Sequence, residues 1–480
     1  MSVGVAIGAA FRRAWDAGRS GKDARPAEIV SATDLAIAGR PCNAAPFGAR
    51  RIRAQIPRHD KEGAMERVVS AFGLIVFVAL AYAFSTNRKA VKWRPVIWGV
   101  ALQIVLAVIV LRTAVGFEVF RWLGDLTTMF LNFSDAGAKF VFGDKFTDFF
   151  FAFKVLPTII FFSAFISVMY HFGVLQKIVE FVAWTMMKTM GTSGAESLSA
   201  AANIFVGQTE APLLIKPYVS SMTMSELHAV MTGGFATIAG GVMAAYISFG
   251  VSAQHLIAAS VMSAPAALAI SKLLYPETEE SVTAGTVSVK VETETGNAIE
   301  AAANGAVDGM RLVLNVAAMM IAFLALLALF NAILGWGGGL FGLPQLSLEW
   351  IFSYLLAPVA WLMGVPWAEC GTVGVLLGKK TALNEFIAYA DLAKMLETTK
   401  AVAANPEMIP GGQVISDRAA TIATYALCGF SNFGSIGIQI GGIGGISPDR
   451  RSDLAKIGLR AMIAGSLACF MTACIAGVLL

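Results

Sequence analysis

The stretches TSGAESLSAAANIFVGQTEAPLLIKPY (192–218) and PWAECGTVGVLLGKKTALNEFIAYADL (366–392) decide how this chain folds. Each is apolar enough to enter a membrane, yet each holds a carboxylate inside a polar cluster. Glu210 stands beside Gln208 and Thr209, and Glu385 stands beside Asn384. A plain spanning helix does not place such groups in hydrocarbon. Irregular backbone and ionisable side chains persist at membrane depth only against protein or a watery cavity. Both stretches therefore read as re-entrant helical hairpins.

The surrounding sequence supplies the membrane. The chain has 480 residues, 56% of them hydrophobic and only 14% charged, against roughly 25% charged in soluble domains. Eight segments are long enough to span: 68–84, 95–113, 152–172, 227–250, 254–275, 311–336, 419–442 and 457–478. Residues 117–133 and 346–364 are apolar but badly placed to cross, and read as interfacial helices. The loop Asn87–Arg94 carries Arg88, Lys89, Lys92 and Arg94, so the positive-inside rule puts it in the cytoplasm. The basic loop 443–456 then also falls inside, while the net-acidic stretch 114–150 falls outside. The fold class is an all-α integral membrane protein of eight transmembrane helices, two re-entrant hairpins and interfacial helices.

A weak internal repeat orders these pieces. GGFATIAGG (233–241) follows the first hairpin and CGFSNFGSI (428–436) follows the second. Aligning Gly234-Phe235 with Gly429-Phe430 sets Thr237 opposite Asn432. Both runs mix glycine with small polar residues inside expected spans, so each half reads hairpin, broken helix, plain helix. The two hairpins enter from opposite faces, and inverted repeats with broken helices at mid-membrane are the pattern of secondary transporters. Scaffold helices are expected over about 65–190 and 305–336, and transport repeats over about 192–275 and 366–480. The acidic stretch 276–300 reads as a flexible linker between the halves.

Residues 1–64 differ from the rest, with eleven Lys/Arg against six Asp/Glu and no secretory apolar core. They read as an over-long start ahead of Met65, with a disordered basic tail and a targeting segment as the other readings. The five cysteines have no paired spacing and the histidines no metal spacing. The cysteines read as small packing residues.

Gln208, Thr209 and Glu210 offer amide, hydroxyl and carboxylate groups that match the mixed edge of a neutral polar solute. Asn432 and Ser435, with Phe430 nearby, add two polar partners and an aromatic face. A sugar with vicinal hydroxyls suits a carboxylate with Asn and Ser. Phe430 reads equally as packing, in a chain with 32 Phe. Asn203 and Thr237 suit a cation site at helix breaks, though such residues also make ordinary interhelical hydrogen bonds.

GQTEAPLLIKPY (207–218), GGFATIAGGVMAAY (233–246), KKTALNEFIAY (379–389) and CGFSNFGSIGIQIGGI (428–443) together resemble the signature segments of the concentrative nucleoside transporter family, in order and spacing over roughly 66–480. The resemblance implies that Gln208, Thr209 and Glu210 meet the base and its surroundings, that Glu385 meets the ribose, and that Phe430, Asn432, Ser435 and Val242 line the pocket. It implies a sodium site on Asn203, Val206, Thr237 and Ile238, with backbone carbonyls from Val206 and Ile238. It further implies a homotrimer in a bacterial inner membrane. The partners would be nucleoside, sodium and lipid, with no nucleic acid and no cofactor beyond the coupling ion. The GQTEAP form resembles the sodium-coupled branch; proton-coupled relatives carry a Ser-Glu-Ser version, and Thr237 keeps the hydroxyl of a Ser found in some sodium-type members. The leading expectation is sodium–nucleoside symport, with proton symport as the alternative. A channel would not concentrate solute. An intramembrane enzyme lacks a catalytic dyad or metal cluster and leaves the hairpins unexplained.

Overall fold

Apolar runs of about 20 residues, at 1.5 Å rise each, make rods of about 30 Å that match the hydrocarbon thickness. The computed structural model describes residues 62–285, 295–405 and 412–480. Residues 1–61, which hold most of the basic segment, lie outside the described residues. Among the described residues the structure is helical, with no strand. Its elements in order are α1 (Glu62–Ala83), α2 (Trp93–Arg112), α3 (Ala114–Leu131), α4 (Ser134–Phe142), α5 (Leu156–His171), α6 (Val174–Met190) and α7 (Gly194–Ala202). Then come α8 (Met224–Ala236), α9 (Gly240–Ser248), α10 (Ala253–Leu274), α11 (Ala298–Leu340), α12 (Leu348–Leu355) and α13 (Ala357–Leu362). The C-terminal part holds α14 (Cys370–Ala382), α15 (Glu385–Ala404), α16 (Asp417–Leu427), α17 (Phe433–Ile446) and α18 (Arg451–Leu479).

Seven of the described helical runs are long and apolar enough to cross a membrane, counting α8 with α9 as one. The segment expected to span at 419–442 is not one such run. It is two helices, α16 and α17, parted by an irregular stretch at 428–432. The span at 311–336 lies within the 43-residue α11. Of the stretch 276–300, residues 286–294 lie outside the described residues, and 298–300 already belong to α11.

Burial sorts the long helices into two kinds. α10 has 89% of its apolar window buried, whereas α11 has only 17%. α10 is rich in Ala and Ser, which let neighbouring backbones approach closely, as membrane helix packing requires. The outer face of α11 presents Ile321, Leu329, Phe330, Ile333 and Trp336, all exposed.

Two breaks lie at the centre. α8 stops at Ala236, Thr237 is extended (φ −124°, ψ 169°), and α9 starts at Gly240. α16 stops at Leu427, and Asn432 is extended in nearly the same way (φ −134°, ψ 161°) before α17. Helix ends leave carbonyls without intrahelical partners, and buried ones must be satisfied. Here the breaks satisfy each other. Phe430 N donates to Thr237 O at 3.1 Å, and Ser431 Oγ donates to Phe235 O at 2.7 Å. Cys469 Sγ reaches Ala236 O and Cys428 O. Lys380 Nζ donates to Ala426 O at 2.8 Å, and Tyr389 OH to Thr424 O at 2.7 Å. Gly429 admits this approach, because a Cβ there would lie 2.6 Å from Phe235 O.

One end of the bundle is tied by buried charge. Ser193–Glu196 and Thr223–Glu226 form capping boxes on α7 and α8. Lys272, at the end of α10, lies 2.7 Å from Glu196 and 3.3 Å from Glu277. Ser281 Oγ donates to Glu226, and Gly194 N donates to Thr283 O. Residues 277–283 therefore strap the starts of α7 and α8 to α10. Removing one member of a buried pair leaves an uncompensated charge, at a cost of about 3–5 kcal/mol, whereas replacing both by apolar groups is often near neutral. Lys272→Met is expected to lower the thermal midpoint of the purified protein, and Glu196→Met with Lys272→Met to recover most of the loss. A single variant as stable as the parent would show that this pair does not hold the strap.

Candidate functional site

Two helix N-termini point at the breaks, because Asn384 caps α15 and Asn432 caps α17. Asn384 Oδ1 accepts from Ile387 N at 3.0 Å, and Asn432 Oδ1 accepts from Ser435 N at 2.9 Å. Glu385 opens α15 and is 4% exposed. A carboxylate at a helix N-terminus meets the positive end of the helix dipole, and side-chain donors complete its shell. Tyr246 OH donates to Glu385 Oε1 at 3.0 Å, and Asn432 Nδ2 donates to Glu385 Oε2 at 3.1 Å. Tyr246 is fixed in turn by stacking on Tyr389, with ring centroids 4.1 Å apart.

The network continues through Ser435. Gln208 Nε2 donates to Ser435 Oγ at 3.3 Å, and Gln439 Nε2 donates to Gln208 Oε1 at 2.9 Å. Gln208, Glu385, Asn432 and Ser435 are all buried. One hydrogen-bonded chain thus joins residues from the turn after α7, from α9, from α15 and from α17. Val242 is buried on α9, one turn before Tyr246 and so on the same face. Phe430 sits half-buried in the second break. Thr209 is half-buried, its Cγ2 lying against Gly442 of α17.

Glu210 differs from Glu385. It is exposed, at the start of the 3-10 run Ala211–Ser221, with its carboxylate folded beside Gly207.

The oxygens expected to hold a cation surround the same break. Asn203 is 1% exposed; its Nδ2 donates to Ser199 O, and its Oδ1 is buried with no hydrogen-bond donor. Thr237 Oγ1 donates to Gly233 O at 2.9 Å, leaving its lone pairs free to accept. Val206 lies in the turn after α7 and Ile238 in the break, so both carbonyls stand outside regular helix. Phe205 O accepts from Gly240 N at 3.1 Å, and Ile204 O accepts from Ser260 Oγ at 2.9 Å, which ties that turn to the break and to α10. Neutral oxygens of this kind suit a hard monovalent cation.

Sequence reasoning missed Tyr246, Tyr389 and Gln439. Tyr246 lies four residues after Val242, and Gln439 four after Ser435 in an otherwise apolar run, so helical spacing alone could have found both. Glu369 holds Ser416, the N-cap residue of α16, by accepting from its N and Oγ, both at 2.6 Å.

Residues 72–145 match a family model described as Na+ dependent nucleoside transporter N-terminus, and residues 255–477 one described as Na+ dependent nucleoside transporter C-terminus. Residues 152–253 match a model described as nucleoside recognition. The chain is similar to the solved structure of CNTnw in an inward-facing substrate-bound state, with a TM-score of 0.79 and 41% identity, over 87% of this chain and 98% of that one. The chain belongs to the sodium-dependent nucleoside transporter family. It is also 52% identical over 416 residues to solute carrier family 28 member 3 of Rattus norvegicus, covering 86% of this chain and 59% of that protein. Sodium/nucleoside cotransporter 1 of Homo sapiens is 51% identical over 416 residues, covering 86% and 64%. The chain thus spans about three-fifths of the length of these two relatives. Two of the matching family models are described as those of sodium-dependent nucleoside transporters.

A hydrogen bond to a charged group contributes about 1.5–3 kcal/mol. Tyr246→Phe keeps the ring stack and removes one donor from Glu385. Its half-saturating nucleoside concentration in uptake assays is expected to rise by about tenfold or more, and an unchanged value would take Tyr246 out of the site.

Proposed function

We propose that this chain is a secondary active symporter that imports nucleosides across a bacterial inner membrane, driven by the sodium gradient. The observation that carries the reading is the buried chain Gln439–Gln208–Ser435–Asn432–Glu385–Tyr246 at the junction of two helix breaks. It offers donors and a carboxylate to a neutral, hydroxyl-bearing solute in a site otherwise walled by apolar side chains. Glu385 and Asn432 take the ribose hydroxyls, and Gln208, Thr209, Val242, Phe430 and Ser435 face the base. Glu210 borders the entrance. Sodium takes Asn203 Oδ1, Thr237 Oγ1 and the carbonyls of Val206 and Ile238.

Coupling follows from adjacency on α8. Asn203 Nδ2 lies 3.3 Å from a Cβ built on Gly233, and Gln208 Cβ lies 2.8 Å from one built on Gly234. Sodium that orders the turn bearing Asn203 and Val206 also sets Gln208 in place, and the gain in nucleoside affinity must be reciprocated by a gain in sodium affinity. The segments 192–218 and 366–392 act as re-entrant hairpins of two inverted repeats, α16 and α17 together make the eighth crossing, and the hairpin-bearing repeats move against a scaffold. The exposed apolar face of α11 supports contact with lipid and with other copies in a homotrimer.

The test is uptake of labelled uridine into proteoliposomes with and without an inward sodium gradient. Accumulation that requires sodium is the expected result. Accumulation driven by a pH gradient alone would instead mean proton symport, and flux that merely equilibrates would mean a channel. Glu385→Gln is expected to abolish most uptake while leaving assembly near normal, and full uptake by that variant would sink the site assignment. Asn203→Leu is expected to raise the sodium concentration for half-maximal uptake by about tenfold or more, the loss of roughly 1.4 kcal/mol; an unmoved sodium curve would remove Asn203 from the cation site.

A further inference from the structure

Gln439 lies in α17 with none of its surface exposed. Its Nε2 makes two hydrogen bonds, to Met231 O at 3.1 Å and to Gln208 Oε1 at 2.9 Å. A backbone carbonyl only accepts. The atom of Gln439 that faces Met231 must therefore be the NH2 group, and the second hydrogen of that group meets Gln208. Only an acceptor can sit opposite it, so Gln208 turns its oxygen to Gln439 and its own NH2 toward Ser435. Ser435 Oγ accepts that bond at 3.3 Å, which leaves the Ser435 hydroxyl proton free to donate. The sense of both glutamine amides is thus set by one carbonyl of α8.

The arrangement is built in at the level of packing. Gly234 lies between the two glutamines, where a Cβ would stand 2.8 Å from both Gln208 Cβ and Gln439 Nε2. A side chain there would part them. Gln439 Oε1 is buried without a partner, a cost of about 1–3 kcal/mol for an unsatisfied polar group. A methionine or leucine would fill the same space without that cost, so the amide stands there for its hydrogen bonds rather than for packing.

We propose that Gln439 is the positioning residue that fixes the amide sense of Gln208, so that Gln208 and Ser435 present hydrogen-bond donors to an acceptor edge of the nucleoside base. The inference rests on the reading that Gln208 faces the base. It makes Gln439 a determinant of base selectivity at one remove from the solute. Uridine and cytidine probe it directly, because the 4-oxo and N3–H of one become the 4-amino and bare N3 of the other. With Gln439 in place, one amide sense serves both bases. Without it, Gln208 rotates to suit either edge.

The experiment compares wild type with Gln439→Met in proteoliposomes, measuring KM for uridine and for cytidine under the same sodium gradient. The ratio of the two KM values is expected to shift by about threefold or more, the scale of one re-paired hydrogen bond. In a Gln208→Met background the same substitution is expected to move the ratio no further, since nothing remains to be oriented. If Gln439→Met does not assemble, Gln439→Asn reads the same ratio, because its shorter amide cannot reach both oxygens. A purely structural role would raise both KM values by one factor and leave the ratio unmoved, and that result overturns the proposal. Additive ratio shifts in the Gln208→Met background would overturn it as well. Wild type that takes up neither nucleoside would strike the functional reading itself, and this inference with it, and is distinguished by appearing before any substitution is made.

Discussion

Everything at the centre of this protein depends on where the backbone carbonyls of two interrupted helices find their donors. A break in a helix at membrane depth costs several kcal/mol for each group left unpaired. Here α8 and α16 end face to face, and the carbonyls of Phe235, Ala236, Thr237, Thr424 and Ala426 are met by Ser431, Cys469, Phe430 N, Tyr389 and Lys380. The donors come from the other break or from helices packed on it. Neither break is satisfied alone. The polar site is a consequence, because the extended residues cap their own helices, Thr237 Oγ1 on Gly233 O and Asn432 Oδ1 on Ser435 N, and leave Asn432 Nδ2 to reach across to Glu385.

That dependence also brings the proposed cation and solute sites onto one structure. α8 carries the two adjacent glycines against which Asn203 and Gln208 pack, and its broken end supplies Thr237 and Ile238. Under the proposed coupling, a cation that tightens this end would draw the turn after α7 toward α8, and Gln208 with it. The opposite base of the same unit is held by Lys272, Glu196 and the strap 277–283. The segment 192–218 is therefore anchored at its foot by buried charge, which leaves its turn near α8 as the part that the proposed ion-dependent ordering would act on.

Much of this was legible in the sequence because polar residues are rare enough in apolar runs to stand out. Glu385, Asn432, Ser435 and Gln208 were visible as such, and the structure links them. The breaks at 237–239 and 428–432 announced themselves through glycine and small polar residues inside expected spans. Gln439 and Tyr246 were less plain: helical spacing puts them on the faces of Ser435 and Val242, but their roles come from partners across the fold, 231 residues away for Gln439 and 139 for Tyr246. The strap was hidden too, since an acidic, Ser- and Thr-rich sequence has the composition of a linker until a buried lysine is placed beside it. Glu210 differs from Glu385 in its surroundings, being exposed at the start of a 3-10 run that holds Pro212 and Pro217.

The two halves share a backbone solution and differ in what they hang on it. Thr237 and Asn432 adopt the same extended conformation at aligned positions of the two motifs. Thr237 ends a helix, beside carbonyls and the negative end of a dipole, which draws a cation. Asn432 begins one, beside amide hydrogens and the positive end, which favours the Glu385 carboxylate and the hydroxyls it would hold. The two breaks, one read from the C-terminal side of a helix and the other from the N-terminal side, present opposite electrostatic signs to the space between them. Two such breaks packed on each other would therefore need no new fold to bind an ion and a neutral solute together.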